Sequence, residues 1–337
     1  MNRMKKTILL LLYKHRGTYL SGQQISEKLQ ISRTAVWKHI RNLIQEGHCI
    51  EAEHRKGYRL AQDTELFLPE IIHGKRQTKW LGTQLIVLDS VSSTNRWARD
   101  HLNELDHGAL ILAEEQTEGR GRMGRAWNSE KGSGLWMTLV LRPALPLEDA
   151  AKMTQMAAAA MHQTIYSVVG LESQIKWPND LLMGDRKICG ILTEISGELN
   201  QMESLIVGIG LNVLQESFPG EIKETAGSLL GITGKKVART ALLTDFLKRF
   251  EDMYQMFIEQ GNYGPVLSVV RKYSMLLNRR IDIIRGNTRT PATAVAIHED
   301  GRLEVVYDDQ VHELLSGGEV SVRPESSQDE EKNTGNE

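Results

Sequence analysis

Seven residues, Gly119-Arg120-Gly121-Arg122-Met123-Gly124-Arg125, alternate three glycines with three guanidiniums. Three cations in so short a stretch do not enter a core unpaired, and glycine weakens helix and strand alike. The stretch predicts a mobile loop that brings backbone N–H groups and planar cations close to a phosphate or carboxylate. Other polar groups collect near strand ends: Gln116, Asn179, Lys187 and Asn212. Ser90-Val91-Ser92-Ser93-Thr94-Asn95 holds more hydroxyls than one helix N-cap needs, so the surplus can bind a polar ligand group. Such a set suits a reaction in which an oxyanion attacks a phosphate while the protein supplies orientation and charge stabilisation. Adenylation of a carboxylate is one such reaction.

Several other chemistries are excluded. The body holds no Gly-x-Ser-x-Gly, no His-rich metal spacing and no cysteine nucleophile. Gly119, Gly121 and Gly124 match a dinucleotide fingerprint by spacing, but the turn-rich segment 126–134 follows where a helix is required. Gly208 and Gly210 fail as well, because Val213 stands where a third glycine is needed. The segment 227–236 lacks the spacing of a P-loop.

The elements that must position these residues follow from pattern and charge. Residues 1–60 carry 12 Lys+Arg against 4 Asp+Glu, and the remainder 29 against 39. A basic head on an acidic body points to nucleic acid for the head. Ile8, Leu9, Leu11 and Leu12 fall at helical spacing, and Gly17 stops that helix. Ser21 opens a second helix with Gln24 as its capping-box partner, and Ile25 and Leu29 face inward. Ser32 caps a third, whose apolar face is Val36, Ile40, Leu43 and Ile44. Arg33, Thr34 and Trp37 are candidate readers of base edges, although a tryptophan there more often packs into a core. Lys38, His39 and Arg41 are placed for phosphates, and Gly22, Gln23 and Ser32 complete the candidate DNA-binding set. Residues 49–60 read as a hairpin with His54-Arg55-Lys56-Gly57 at its tip, which makes the head a winged helix-turn-helix.

In the body, strands are predicted at 85–89, 109–113, 135–141, 187–195 and 205–212, and helices near 69–73 and over 97–105, 147–169 and 240–260. Pro178 rules out a central strand and leaves Asn179 and Asp180 in a loop. From about Leu277, short strands at 280–285, 291–297, 303–307 and 319–322, separated by glycine turns, describe a small five-stranded barrel. The tail 325–337 is polar, acidic and expected to be disordered. Two distant cysteines, Cys49 and Cys189, fit a reducing cytoplasm. No stretch approaches the roughly 20 apolar residues of a membrane span, so a soluble protein is expected.

Four segments in one order now carry a resemblance: Gly119–Arg125 with Trp127; Lys176-Trp177-Pro178-Asn179-Asp180; Asp185-Arg186-Lys187 with Gly190-Ile191-Leu192; and Gly208-Ile209-Gly210 with Asn212. The chain resembles biotin protein ligases over roughly residues 5–323, and its basic head makes it similar to the class that also represses the biotin operon. Met123 departs from the pattern, since other members often carry a polar or basic residue there.

The resemblance implies an α+β fold: a winged helix-turn-helix (1–65), a central mixed β-sheet with helices like the biotin/lipoate ligases (66–275), and a small SH3-like β-barrel (276–324). It implies that biotin and Mg2+-ATP give biotinyl-5′-AMP, and that a lysine of a biotin carrier protein of the acetyl-CoA carboxylase type then attacks. Ser93, Thr94, Asn95 and Gln116 match positions holding the ureido and ring region, and their neutral donors and acceptors suit a urea. Arg120, Gly121 and Arg122 match the loop over biotin, and Lys187 the lysine at the carboxylate and activated phosphate. Arg125, Trp127, Asn179 and Asn212 match the adenylate side, with Trp127 a stacking surface for adenine. Asp180 either positions Lys187 or touches the ligand. Arg120, Arg122 and Lys187 are the implied catalytic residues; no metal-ligating residue is implied. Operator DNA and a homodimer promoted by biotinyl-AMP are the further implied partners, with no membrane. A lipoate-type ligase and a non-catalytic metabolite-sensing repressor are the competing readings.

Deleting residues 1–65 is expected to abolish DNA binding in a gel shift on the biotin operator, with catalysis surviving at least in part. A truncated protein that still shifts the operator would place the DNA-reading surface elsewhere.

Overall fold

The computed structural model describes residues 3–62, 64–196, 203–317 and 321–324. The expected tail at 325–337 lies outside them. The chain divides into two units, Met1–Leu66 and Phe67–Glu337.

In the first unit, helices α1 (Arg3–Lys14), α2 (Gly22–Leu29) and α3 (Arg33–Gln45) precede a hairpin of β1 (Ile50–Glu53) and β2 (Gly57–Leu60). The capping box forms as its sequence predicts. Ser21 Oγ accepts from Gln24 N at 3.1 Å, and Gln24 Oε1 accepts from Ser21 N at 2.8 Å. Ser32 Oγ likewise accepts from Ala35 N. Ile8, Leu9, Leu12, Ile25, Val36, Ile40, Leu43 and Leu60 form the core. Ile44 was expected among them but is exposed; eight residues past Val36 it has turned about 80° around the helix. The hairpin is pinned by two hydrogen bonds between Leu20 and Tyr58, each 2.9 Å. Gly57 makes this possible. It sits at φ +109°, and a Cβ there would lie 2.1 Å from Leu20 O.

The second unit runs α4 (Pro69–Lys75), β3 (Leu85–Leu88), α5 (Thr94–Asp100), β4 (Ala109–Ala113), β5 (Gly134–Leu141), α6 (Ala150–Val169), β6 (Gln174–Lys176), β7 (Asp180–Met183), β8 (Arg186–Ser196) and β9 (Ser204–Asn212). Then follow α7 (Leu229–Thr233), α8 (Arg239–Gln260), α9 (Gly264–Lys272) and strands β10 (Arg279–Arg285), β11 (Thr288–Ile297), β12 (Leu303–Val306), β13 (His312–Leu315) and β14 (Ser321–Pro324). The central sheet has the order β3-β4-β5-β9-β8-β7-β6. It is mixed: β3 and β4 pair in parallel and the other neighbours antiparallel.

Strand alternation divides the sheet into two faces. Leu110, Leu112, Met137, Leu139, Val207 and Ile209 pack with buried residues of α6 and α8 in the main core. Ala109, Ile111, Val140 and Ile206 join Ala98 of α5 on the opposite face. The helix expected from Trp97 begins three residues earlier, with Ser93 as its N-cap. Asp180, expected in a loop, is the first residue of β7, and only Asn179 stays in the turn.

The C-terminal strands form an antiparallel sheet in the order β13-β12-β11-β10-β14. Among the described residues no pairing joins β13 to β14, so closure into the expected barrel is not among its hydrogen bonds. Residues 319 and 320 of the expected last strand lie outside the described residues. This sheet meets the body at Gly301, whose carbonyl accepts from Gln155 Nε2 (2.7 Å) and Trp177 Nε1 (2.9 Å). None of the described helices is long and apolar enough to cross a membrane.

One buried carboxylate ties the chain entering the sheet to α8. Glu251, 2% exposed, accepts from the backbone N–H groups of Lys79, Trp80 and Leu81 at 2.8–3.1 Å. Glu251→Ala would take the shared acceptor from three backbone N–H groups, that of Leu81 buried and those of Lys79 and Trp80 part-buried, with an expected cost of about 1–3 kcal/mol. Urea unfolding followed by Trp fluorescence measures it, and a loss below about 0.5 kcal/mol would contradict this role.

Candidate active site

The site begins with an absence of side chains. Gly208 and Gly210 stand two apart on β9 and share a face, and Gly190 of β8 pairs with Gly210. A Cβ on Gly208 would lie 2.2 Å from Asn95 Oδ1. One on Gly210 would lie 2.4 Å from Trp127 Nε1, and one on Gly190 3.1 Å from the same ring. The glycines therefore make a bare floor on the α5 face of the sheet, and Asn95 and Trp127 rest directly on it.

Around Asn95 the polar groups form one connected network. Ser93 caps α5, placing Thr94 and Asn95 in its first turn. The Thr94 N–H and hydroxyl both donate to Gln116 Oε1, at 2.8 and 3.0 Å. Gln116 Nε2 donates to Ser129 Oγ at 2.9 Å. Thr138, opposite Gly208 on β5, has its hydroxyl 2.8 Å from Thr94 Oγ1 and 2.7 Å from Asn95 Oδ1. Asn95 Nδ2 donates to Leu192 O at 3.2 Å and to Glu194 Oε2 at 2.8 Å. Ser93, Thr94, Asn95, Ser129 and Thr138 are all buried. A set built on neutral amides and hydroxyls suits a neutral polar ligand group, because a buried charge would need an opposite charge beside it.

Charge enters at the other end of the floor. Lys187 Nζ lies 2.7 Å from Asp180 Oδ2 and 5.2 Å from the centre of the Trp127 ring. Asp180 therefore positions Lys187, and its Oδ1 is buried with no hydrogen-bond partner among the described residues. Trp127 Nε1 is unpartnered in the same way. Buried orphans of this kind call for an explanation, and a ligand completing them is one. Asn212 is engaged differently: its Nδ2 donates to Gly227 O and its Oδ1 accepts from Gln215, so it anchors the loop after β9.

The arginine-glycine loop is folded into a turn. Arg122–Gly124 form a 3-10 turn, closed by the Arg120–Ala126 bridge, with Met123 at φ +56° and 63% exposed. The turn separates the three cations. Arg120 and Arg125 are exposed, while Arg122 turns inward to Asn179 Oδ1 (3.1 Å) and the Gly317 carbonyl. Burial pushes the Arg122 guanidinium below its ordinary value, and nearby Asp180 partly offsets this. Gly121 N–H donates to Arg125 O at 2.7 Å. Beside Arg122 and Asn179 opens a cavity of about 750 Å3, lined also by Gln155, Trp177, Pro178 and Gly317. The described residues contain no group of three or more His, Cys, Asp or Glu able to hold a metal ion. Burial pushes the Cys189 thiol up, which keeps it protonated and inert.

In the first unit, Gln23, Ser32, Arg33, Thr34, Trp37, Lys38 and Arg41 are exposed and Gly22 is half-buried. Trp37, weighed as core, is 51% exposed, with the Arg41 guanidinium 5.3 Å from its ring centre. On the helix it falls outside the Val36, Ile40, Leu43 stripe that makes the core.

Sequence reasoning missed Ser129, Thr138 and Glu194. Thr138 carried a signal, as the one polar residue in an otherwise apolar strand. Gly208 and Gly210 were weighed as a nucleotide motif and as part of the family resemblance, whereas their spacing in a strand already places two bare positions on one face.

Comparisons with known proteins give the family. Residues 87–212 match the Biotin/lipoate A/B protein ligase family, residues 5–59 an HTH domain, and residues 276–323 the Biotin protein ligase C terminal domain. The chain is 36% identical to the Bifunctional ligase/repressor BirA of Bacillus subtilis (strain 168), over 93% of this chain and 97% of that protein. It is 29% identical to the Escherichia coli (strain K12) protein of the same name, over 91% and 94%. Among solved structures, the biotin protein ligase from Aquifex aeolicus in complex with biotin and ATP is 28% identical, with a TM-score of 0.64 over 72% of this chain and all of that one. On its sequence and its domains, the chain belongs to the family of bifunctional biotin ligase/repressors.

Proposed function

We propose that the chain activates biotin with ATP, transfers it to a lysine of a biotin carrier protein, and represses transcription when the activated intermediate accumulates. The observation that carries this is the division of one site into two. A network of neutral amides and hydroxyls lies at Asn95, and a cation held by a carboxylate lies at Lys187. Biotin has the same two ends: a neutral urea and a carboxylate.

In the first step a biotin carboxylate oxygen attacks the α-phosphorus of ATP, and the bond to pyrophosphate breaks. Ser93, Thr94, Asn95 and Gln116 hold the ureido ring. Lys187 stands where negative charge gathers on the carboxylate and phosphate, and Arg120, Gly121 and Arg122 close over them. Arg125, Trp127, Asn179 and Asn212 take the adenylate side, with Asn212 acting through the loop it anchors. In the second step the carrier amine attacks the mixed anhydride and AMP leaves, so the protein needs no nucleophile of its own. Mg2+ would enter with ATP and would offset the charge of its phosphates. Lipoate is the poorer fit, because its dithiolane offers neither N–H nor carbonyl to the amides and hydroxyls around Asn95.

The DNA-binding set is Gly22, Gln23, Ser32, Arg33, Thr34, Trp37, Lys38 and Arg41. Biotinyl-AMP promotes a homodimer, which offers two winged heads to a palindromic operator. Cytoplasmic residence accompanies this role.

One variant tests both activities. Lys187→Ala should lower biotin-dependent ATP–pyrophosphate exchange by about 10²–10³-fold. In gel shifts, biotin plus ATP should tighten operator binding by the native protein but not by the variant. Full exchange by Lys187→Ala would show that another group carries the charge. Tightening without exchange would uncouple repression from catalysis.

A further inference from the structure

We propose that Glu194 is a positioning residue that decides which atom of the Asn95 amide faces the ligand. The inference rests on the biotin reading above and deepens it. Asn95 is 5% exposed, lies over Gly208, and belongs to the neutral half of the site. An amide has an acceptor end and a donor end of nearly equal size, and a half-turn exchanges them. Left to itself, Asn95 could offer either end, and only one suits a given ligand atom.

The neighbours differ in what they enforce. Thr138 lies 2.7 Å from Oδ1, but a hydroxyl gives or takes a proton with equal ease and so accommodates both orientations. Leu192 O, an acceptor, meets Nδ2 at the longer distance of 3.2 Å. Glu194 Oε2 meets Nδ2 at 2.8 Å, and an ionised carboxylate accepts only. Turning the amide over would set Oδ1 against two acceptors, one of them charged. The carboxylate thus holds Nδ2 toward β8 and keeps Oδ1 over the glycine floor. There Asn95 is an acceptor, matched to a ligand N–H such as that of a urea.

Glu194 is itself held. Its other oxygen pairs with Arg99, one turn beyond Asn95 on α5. The guanidinium balances the carboxylate charge, so the network stays suited to a neutral ring. Arg99 also makes a purely structural role conceivable, in which the pair only fastens α5 to β8. The two roles separate by experiment, because Arg99→Ala breaks the fastening and leaves the acceptor in place.

The test is biotin-dependent ATP–pyrophosphate exchange by the full-length protein. Glu194→Ala should raise the biotin KM about tenfold or more, with kcat and the ATP KM within about twofold. Glu194→Gln keeps a carbonyl acceptor and should hold the biotin KM within about threefold of native, as should Arg99→Ala. If Glu194→Ala does not fold, Glu194→Met, of similar length and without the acceptor, carries the same expectation. A biotin KM unchanged in the Ala or Met variant overturns the assignment. So does an Arg99→Ala protein as impaired as Glu194→Ala, since that outcome assigns the pair to fastening alone. Native protein that shows no biotin-dependent exchange defeats the biotin reading itself, a result distinct from either.

Discussion

Bare backbone on one face of one sheet is the constraint on which the rest of the site depends. Gly190, Gly208 and Gly210 leave no Cβ between the sheet and the groups above it, so Asn95 and Trp127 approach far closer than over any other residue. Glycine in a strand weakens it. The loss is tolerable here because β9 and β8 lie inside a seven-stranded sheet. Their reverse face is buried against α6 and α8 with Ile191, Val207 and Ile209. One face is filled so that the other can stay bare of side chains of its own, admit Asn95 and Trp127 at close range, and still keep its shape. A site built on strands in this way is more precise than one built on loops.

The second organising feature is how charge is partitioned. Near Asn95 the groups are neutral, apart from a carboxylate balanced by Arg99. Near Trp127 and Asn179 the cations gather, each with a restraint: Lys187 on Asp180, Arg122 on Asn179 and the Gly317 carbonyl. The Gly317 carbonyl, two residues past β13, helps to hold an arginine of the loop. Arg120 and Arg125 remain exposed at the surface of the same turn. A neutral head group and an anionic tail can therefore be bound along one floor without the cations meeting the urea.

Much of this was legible in the sequence, for local reasons. Caps at Ser21 and Ser32, the hairpin after α3, and five of the seven strands of the central sheet follow from spacing and hydrogen-bonding type. What failed to show depended on contacts between distant segments. Glu194 reads as a polar residue near the end of a strand until β8 is brought beside α5, 99 residues earlier in sequence. The Arg122 turn is set by Asn179 and Gly317, and composition alone gives only a flexible loop. The strand His312–Leu315 lacks a clean alternation, with His312 and Leu314 both on its exposed side, and so went unnamed. Trp37 misled because residue type favours burial, whereas its place on the helix turns it outward to Arg41.

The central claim is that the glycine floor seats biotin. Titration calorimetry of biotin into full-length Gly208→Ala tests it most directly, because the added Cβ would fall on the Asn95 amide, 2.2 Å from its Oδ1. The account predicts an affinity lower by about 100-fold or more than that of the native protein, equivalent to about 2.7 kcal/mol, with an unaltered far-ultraviolet circular dichroism spectrum. A folded Gly208→Ala protein that binds biotin within about threefold of native would contradict it.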